Sequence, residues 1–130
     1  LHLLSRRQRQ MCIRDRGTII TTEDIHKIGV PETIKKAVEI AGEGCDTIYV
    51  TMDIDVVDQA YACGTGSFIY GGITATEFLQ IASELSQYKN IGGIDIVEVA
   101  PNLDLTQNTS RLAATAITSF LKPRIFEFVE

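Results

Sequence analysis

Two short segments rich in β-branched and apolar residues determine which architecture this sequence can adopt. Residues 47–52 (TIYVTM) and 93–99 (GIDIVEV) contain no Pro, and a loop and a helix signal lie between them. The first has the length and composition of a strand that is covered on both faces. Strands joined through a helix lie parallel, because a parallel pair needs a crossover of roughly a dozen residues or more. The sequence therefore predicts a parallel α/β sheet.

Helix signals surround both predicted strands. Thr21 with Asp24, and Thr74 with Glu77, have the spacing of capping boxes. Pro at position 31 suits the first turn of a helix, and Gly residues near position 42 suit its end. The predicted helical segments are a short turn through residue 25, residues 31–41, residues 74–87 and residues 108–121.

The charge is divided unevenly along the chain. The net charge is -5, but residues 1–16 hold five Arg against one Asp, and the rest holds sixteen acidic and seven basic residues. This acidic body excludes a nucleic-acid-binding surface. Residues 1–16 lack aromatic residues and helical periodicity, so we expect a disordered or non-native tail. Their ending MCIRDR resembles translated sequencing-adapter read-through, and a basic arm for an anionic partner is the alternative.

Hydropathy and cysteine content indicate the compartment. No apolar run approaches the roughly 18–20 residues that cross a bilayer, and the start of the chain does not fit a signal peptide. Cys12, Cys45 and Cys63 are odd in number and contain no Cys-x-x-Cys pair, which disfavours a disulfide framework or a zinc site. We expect a soluble cytoplasmic protein without nucleic-acid or membrane partners.

Three aspartates, Asp53, Asp55 and Asp58, follow the first predicted strand, before a loop over residues 59–72 with four glycines. Strand alternation would point the first two to one face with backbones about 6.6 Å apart. Their charges would repel by about 2.5 kcal/mol at an effective dielectric constant of ~20. A hard divalent metal removes this repulsion. A protonated carboxylate or a turn-capping Asp is the alternative, but the number of acids and the loop favour a metal.

Glu98 lies near the end of the second predicted strand. Ligands bind beyond the carboxyl ends of parallel strands, so we expect Glu98 to share one edge of the sheet with Asp53 and Asp55. A carboxylate among apolar neighbours needs a cationic partner, and a guanidinium fits through paired hydrogen bonds. A solvent-facing carboxylate is the alternative. Asp95, on the opposite face, is predicted to make a structural hydrogen bond.

Four different motifs follow one another at characteristic spacing within residues 18–121. They are Asp53-Ile-Asp55-Val-Val-Asp58, Ala62-x-Gly64-Thr65-Gly66-Ser67, Gly71-Gly72-Ile73-Thr74-x-x-Glu77 and Asp95-Ile-Val-Glu98-Val-x-Pro101. This succession resembles the C-terminal half of the arginase and agmatinase (ureohydrolase) family. The resemblance implies that residues 17–130 are the C-terminal part of a three-layer, arginase-like α/β domain with a parallel sheet.

The resemblance also implies a reaction. It implies that a guanidino compound, agmatine-like, is hydrolysed to urea and an amine by hydroxide held between two Mn²⁺ ions in the full-length parent, a homo-oligomer. By similarity, Asp53 bridges both metals and Asp55 ligates one. Glu98 grips the substrate guanidinium, and Ser67 stands where the family usually has a Thr hydroxyl that faces the substrate. Metals lower the pKa of water towards ~7, which agrees with this chemistry.

The sequence departs from the family pattern in two ways. Gln59 and Cys63 replace prolines, and residues 68–70 replace a commonly Pro-containing stretch, which we expect to loosen the loop. Four further metal ligands and a proton-shuttling His come from the family's N-terminal half, and His2 and His26 lie in no matching motif. Two strands are also too few for an independent sheet. We therefore expect a fragment that is inactive alone and whose missing strands come from upstream sequence or a partner.

Two rival functions are compatible with parts of the pattern. A catalytically silent homologue or assembly module would keep the fold without the reaction. A strand followed by Asp-x-Asp also begins haloacid-dehalogenase-type phosphatases, in which the first Asp accepts a phosphoryl group and Mg²⁺ joins the site. That chemistry needs a downstream Ser or Thr, a Lys and further acids, and the chain offers no convincing set.

Overall fold

The computed structural model describes residues 17–126. In chain order its elements are α1 (Thr22–Ile28), α2 (Val30–Gly42), β1 (Ile48–Asp53), a 3₁₀ turn (Ile54–Val56), α3 (Ala75–Ser86), β2 (Ile91–Val97) and α4 (Asn108–Phe126). Helices and strands follow each other as predicted for an α/β fold. The tail predicted over residues 1–16 lies outside the described residues, and that interpretation stays a prediction.

Both predicted capping boxes are confirmed. At the start of α1, the Asp24 amide donates to Thr21 Oγ1 at 3.2 Å and the Thr21 amide donates to Asp24 Oδ2 at 3.0 Å. At the start of α3, the Glu77 amide donates to Thr74 Oγ1 at 3.1 Å and the Thr74 amide donates to Glu77 Oε2 at 2.7 Å. These bonds satisfy backbone donors that have no acceptor within the helix.

The parallel pairing of β1 and β2 is confirmed, and it forms the two-stranded sheet of residues 17–126. Asp53 aligns with Val97 at the carboxyl ends of the strands, so both chains leave the sheet at one edge. β2 begins and ends two residues earlier than predicted. It ends before Glu98 because that residue has a φ of 65°, which is incompatible with a strand.

The helices cover one face of β1. Ile48 and Met52 are buried, whereas Tyr49 on the other face is 63% exposed. The prediction that this strand is covered on both faces is therefore wrong for the described part of the chain. The physical reason is that α2, α3 and α4 contribute to one shared hydrophobic core, which also contains the inward residues of both strands. Its largest fully buried apolar side chains are Phe78, Ile54, Ile73, Ile91 and Val57.

The last helix continues beyond its predicted end at residue 121, through Pro123. Arg124 explains this extension. Its guanidinium donates to the backbone oxygens of Ser86 at 3.2 Å, Tyr88 at 2.6 Å and Ile91 at 2.8 Å. A cation is favourable at the C-terminus of α3, where carbonyl groups lack helical donors. The tertiary contact therefore holds the last turn of α4 against α3 and β2.

Within residues 17–126, no helix combines the length and the apolar character that a membrane span requires.

Candidate active site

Asp53 ends β1 and caps the turn that follows it. Its Oδ1 accepts a hydrogen bond from the Asp55 amide at 2.9 Å. Asp55 belongs to the 3₁₀ turn rather than to the strand, so the expectation that strand alternation places the two carboxylates on one face is wrong. The capping role and a metal role were alternatives in the sequence. The capping bond is present, and the structure assigns no donor in residues 17–126 to the second oxygen of Asp53.

Asp55 is half-buried at the same edge of the sheet. Its Oδ1 accepts a hydrogen bond from the Thr65 hydroxyl. Burial raises the pKa of Asp55, and the negative charges of Asp53 and Glu98 raise it further. Asp53 ends β1, Asp55 follows it and Glu98 follows β2, so all three residues lie where the paired strands leave one edge of the sheet. We call them the carboxylate cluster (Asp53, Asp55 and Glu98).

Asp58 has a different task from the other two aspartates. Its Oδ1 accepts from the Ala60 amide at 2.8 Å, and its Oδ2 accepts from the Gly71 amide at 2.7 Å. The hydrogen bonds from Ala60 and Gly71 hold the pKa of Asp58 below its ordinary value. Both oxygens are used to close the loop, so Asp58 adds no ligand to the carboxylate cluster.

Glu98 is exposed and stands one residue beyond β2. Its left-handed backbone is sparsely populated for a residue with a side chain, and such conformations concentrate at functional sites. The predicted cationic partner is not supplied by the described residues, whose ion pairs join His26 to Glu77 and Lys27 to Glu23. Exposure agrees with the solvent-facing alternative and leaves the carboxylate accessible to a ligand from outside.

Asp95 makes the structural hydrogen bond that the sequence predicted. The Tyr49 hydroxyl donates to Asp95 Oδ2 at 3.1 Å on the open face of the sheet. Asp95 Oδ1 is buried and has no hydrogen-bond partner among the described residues. Asp95 therefore lies outside the carboxylate cluster.

The loop from residue 59 to residue 72 is tied to the sheet edge. Isolated bridges join Asp58 to Ile69 and Thr65 to Val99. A Cβ on Gly72 would lie 2.5 Å from the Val56 carbonyl oxygen, so the backbones approach more closely than any other residue allows. The prediction that the lost prolines loosen the loop stays a prediction. Ser67 is exposed on this loop, and its amide donates to Thr65 Oγ1 at 3.5 Å.

Sequence reasoning missed Thr65, Asp104 and Thr109. Thr65 lies between two glycines in the loop that follows the acidic pair Asp53 and Asp55. A polar residue at such a position is a usable signal of a contact with those acids. Asp104 accepts hydrogen bonds from the Thr109 amide at 3.2 Å and the Ser110 amide at 2.8 Å. Asp104 caps the start of α4 from a position further upstream than the capping-box pattern has. The local sequence therefore gives little indication of this contact.

The donor set suits a hard divalent cation but is incomplete. Asp53 and Asp55 offer carboxylate oxygens, which such cations prefer. Among residues 17–126 no group of three or more His, Cys, Asp or Glu is arranged to hold a metal ion. A cavity of about 500 Å³ runs along β1, but Asp53 is the one member of the carboxylate cluster that lines it. Any complete metal centre therefore needs further ligands.

Comparison with known proteins decides the family. The model of the arginase family matches residues 3–122. The chain belongs to the arginase family. Formimidoylglutamase of Halalkalibacterium halodurans is 36% identical over 85% of this chain and 35% of that protein. Agmatinase of Bacillus subtilis is 40% identical over 75% of this chain and 33% of that protein.

The fold comparison agrees with the family assignment. The crystal structure of arginase from Bacillus subtilis superposes with a TM-score of 0.78 and 26% identity, covering 87% of this chain and 38% of that one. The arginase-like α/β fold expected from the sequence is confirmed for the part of the fold that this chain covers. The chain spans about a third of the length of the curated relatives it matches.

Proposed function

We propose that this chain supplies one side of the active site of a binuclear-manganese hydrolase that cleaves a guanidino compound to urea and an amine. The observation that supports this most strongly is the carboxylate cluster. Asp53 and Asp55 lie at the end of β1, at the edge of the sheet where Glu98 follows β2. The negative charges of Asp53 and Glu98 raise the pKa of Asp55. In a chain of the arginase family, such a cluster suits a metal centre beside a cation-binding carboxylate.

The chain's residues then have separate roles. Asp53 and Asp55 would hold the metal ions through their carboxylate oxygens, which hard divalent cations prefer. A bound divalent metal acts as a Lewis acid and lowers the pKa of water, which supplies a nucleophile near neutral pH. Glu98 binds the planar cationic group of the substrate through paired hydrogen bonds and holds it in a fixed orientation. Ser67, exposed on the tied loop, would face the substrate through its hydroxyl.

We further propose that the substrate is agmatine-like. The relatives include both an agmatinase and a formimidoylglutamase. A guanidino group and a formimidoyl group both place one carbon between nitrogens, so Glu98 suits either. The acidic body of the chain is compatible with a cationic substrate but does not select one. We keep agmatine as the first substrate to test and a formimidoyl amino acid as the second.

The experiment uses the complete protein in which this chain occurs, loaded with Mn²⁺. Urea release from agmatine is measured for the wild type, Asp53→Asn and Glu98→Gln. We expect Asp53→Asn to lower Mn²⁺ affinity, and Glu98→Gln to lower kcat/KM at unchanged Mn²⁺ affinity, because it removes charge from the substrate contact. Glu39→Gln, an exposed carboxylate on α2, is the matched control. Unchanged Mn²⁺ affinity in Asp53→Asn would contradict the proposal.

A catalytically silent homologue or assembly module is the remaining alternative. It predicts no Mn²⁺-dependent turnover of either substrate in the complete protein, although the fold is retained. Membership of the arginase family disfavours the haloacid-dehalogenase-type phosphatase. Covalent phosphorylation of Asp53 by a phosphoryl donor would reinstate it.

The proposal includes a setting for the enzyme. We place it in the cytoplasm as a homo-oligomer without nucleic-acid or membrane partners. Cys45 and Cys63 are exposed free thiols, which suits a reducing compartment. Size-exclusion chromatography with light scattering of the complete protein tests the oligomer.

A further inference from the structure

We propose that Thr65 is a positioning residue whose buried hydroxyl fixes the Asp55 carboxylate in the orientation that a divalent metal requires. This inference rests on the proposed function, because it assumes that Asp55 is a metal ligand. Thr65 contacts neither metal nor substrate in this account. Its effect is transmitted through the Asp55 side chain.

The contact is direct and part-buried. Thr65 Oγ1 donates to Asp55 Oδ1, and Thr65 is 1% exposed. A buried hydroxyl that loses its acceptor is costly, so this bond favours one orientation of the Asp55 side chain. The same hydroxyl accepts from the Ser67 amide at 3.5 Å. A single oxygen thus links the proposed metal ligand to the loop residue proposed to face the substrate.

The backbone of Thr65 is fixed to the end of β2. Thr65 forms an antiparallel bridge with Val99, and the Ala100 amide donates to the Gly64 carbonyl oxygen at 2.8 Å. Val99 directly follows Glu98 in the chain. The segment that orients Asp55 is therefore attached to the segment that presents Glu98, which keeps the two parts of the carboxylate cluster in register.

The N-terminus of α4 provides a second anchor. The Gly64 amide donates to Thr109 Oγ1 at 2.8 Å within a buried contact. Thr109 in turn donates its amide to Asp104. A Cβ on Gly64 would lie 2.3 Å from Asp104 Cβ, so glycine is required for this approach. Because α4 belongs to the core, the position of Thr65 is determined by packed elements rather than by a free loop.

Variants can separate the hydroxyl from the shape of the side chain. Thr65→Val keeps the branched shape and removes the hydroxyl, whereas Thr65→Ser keeps the hydroxyl. Loss of a group that orients a metal ligand typically lowers metal affinity about 10- to 100-fold. We expect that loss in Thr65→Val and a value within about threefold of the wild type in Thr65→Ser. Thr33→Val is the matched control, since Thr33 is also buried and donates to the Gly29 carbonyl oxygen in α2.

The measurement is the dissociation constant of Mn²⁺ for the metal-stripped complete protein, from the electron paramagnetic resonance signal of free Mn²⁺. Thermal unfolding in excess chelator reports whether each variant folds. If Thr65→Val does not fold, Thr65→Ala and Thr65→Ser form a second pair that lacks the methyl group and differs in the hydroxyl. Recovery of Mn²⁺ affinity in the Ser variant then supports the proposal.

Asp55→Asn separates a failure of the positioning role of Thr65 from a failure of the proposed metal site. If Asp55→Asn weakens Mn²⁺ binding and Thr65→Val does not, the positioning role is wrong and the metal site stands. If Asp55→Asn leaves Mn²⁺ binding unchanged, the proposed metal site is wrong and the positioning role falls with it. Equal losses in the Ser and Val variants at position 65 would also overturn the positioning role, because the hydroxyl would not be the cause.

Discussion

Asp53 uses one carboxylate oxygen to cap the turn that follows β1. Its Oδ1 accepts the Asp55 amide, which fixes the turn that carries Asp55 away from the strand. The structure assigns no donor in residues 17–126 to the second oxygen. Capping and metal binding are therefore compatible at this residue, although the sequence presents them as alternatives. Asp58 differs, since both of its oxygens accept backbone donors.

Asp58→Asn gives a pH-dependent test of that difference. The pKa of Asp58 lies below its ordinary value of 3.8 because of the bonds from Ala60 and Gly71. A depressed pKa stabilises the fold above the unfolded pKa, and this contribution is lost as the pH falls through the folded pKa. We expect Asp58→Asn to unfold more easily than the wild type near neutral pH, and the difference to shrink below about pH 4.

Urea unfolding of both proteins across this pH range, in excess chelator, measures the effect. A difference in unfolding free energy that stays constant down to strongly acidic pH would show that the Asp58 charge does not hold the loop.

At the scale of elements, the two strands and the loop between them act as one unit. The loop begins after the 3₁₀ turn, contacts the end of β2 through Thr65, and returns to Val56 through Gly72. Each of these ties uses backbone atoms, so their geometry tolerates little displacement. The described loop is held by bridges and by close backbone approach.

Gly72→Ala tests this close approach. The added Cβ would meet the Val56 carbonyl oxygen at 2.5 Å and the Asp58 amide nitrogen at 2.6 Å. Backbone atoms cannot move aside cheaply, and overpacking of this kind costs about 1–3 kcal/mol. Gly66→Ala is the control, because a Cβ there meets nothing within 4 Å. Thermal unfolding that ranks the two variants equally would show that the loop adapts without cost.

Local signals account for what the sequence predicts correctly. Thr21 and Thr74 begin helices because the capping bonds span three residues, and the parallel pairing follows from the crossover length. The Thr65–Asp55 bond and the contacts of Arg124 join different segments of the chain, and the positive φ of Glu98 is a local conformation outside any regular element. Hydrophobic periodicity and propensity encode none of these features, which is why the carboxylate cluster was predicted in outline while Thr65 was missed.

For the whole molecule, the open face of the sheet agrees with the fraction of the family fold that this chain covers. Tyr49 is exposed beside Asp95, whose Oδ1 lacks a donor within residues 17–126. The chain spans about a third of its relatives' length. A face of this kind suits packing against further strands and helices of an arginase-like domain, and the same missing elements would complete the metal ligands.

We therefore expect this chain, isolated from any further sequence, to lack two tight Mn²⁺ sites and to release no urea from agmatine. The reason is that Asp53 and Asp55 would supply only two of the six metal ligands that the family resemblance implies. Calorimetric titration of the isolated chain with Mn²⁺ measures the first expectation. Two tight sites in that titration would contradict the account of an incomplete centre.

We expect Asp53 and Asp55 to bind manganese at the edge of the sheet where Glu98 lies. The most direct measurement is a crystal structure of the complete protein grown with Mn²⁺, with anomalous scattering recorded at the manganese edge. We predict a peak in coordination contact with both aspartate carboxylates, and the Glu98 carboxylate facing the same cleft. Manganese bound elsewhere, or a Glu98 carboxylate that faces away from the two aspartates, would contradict the account.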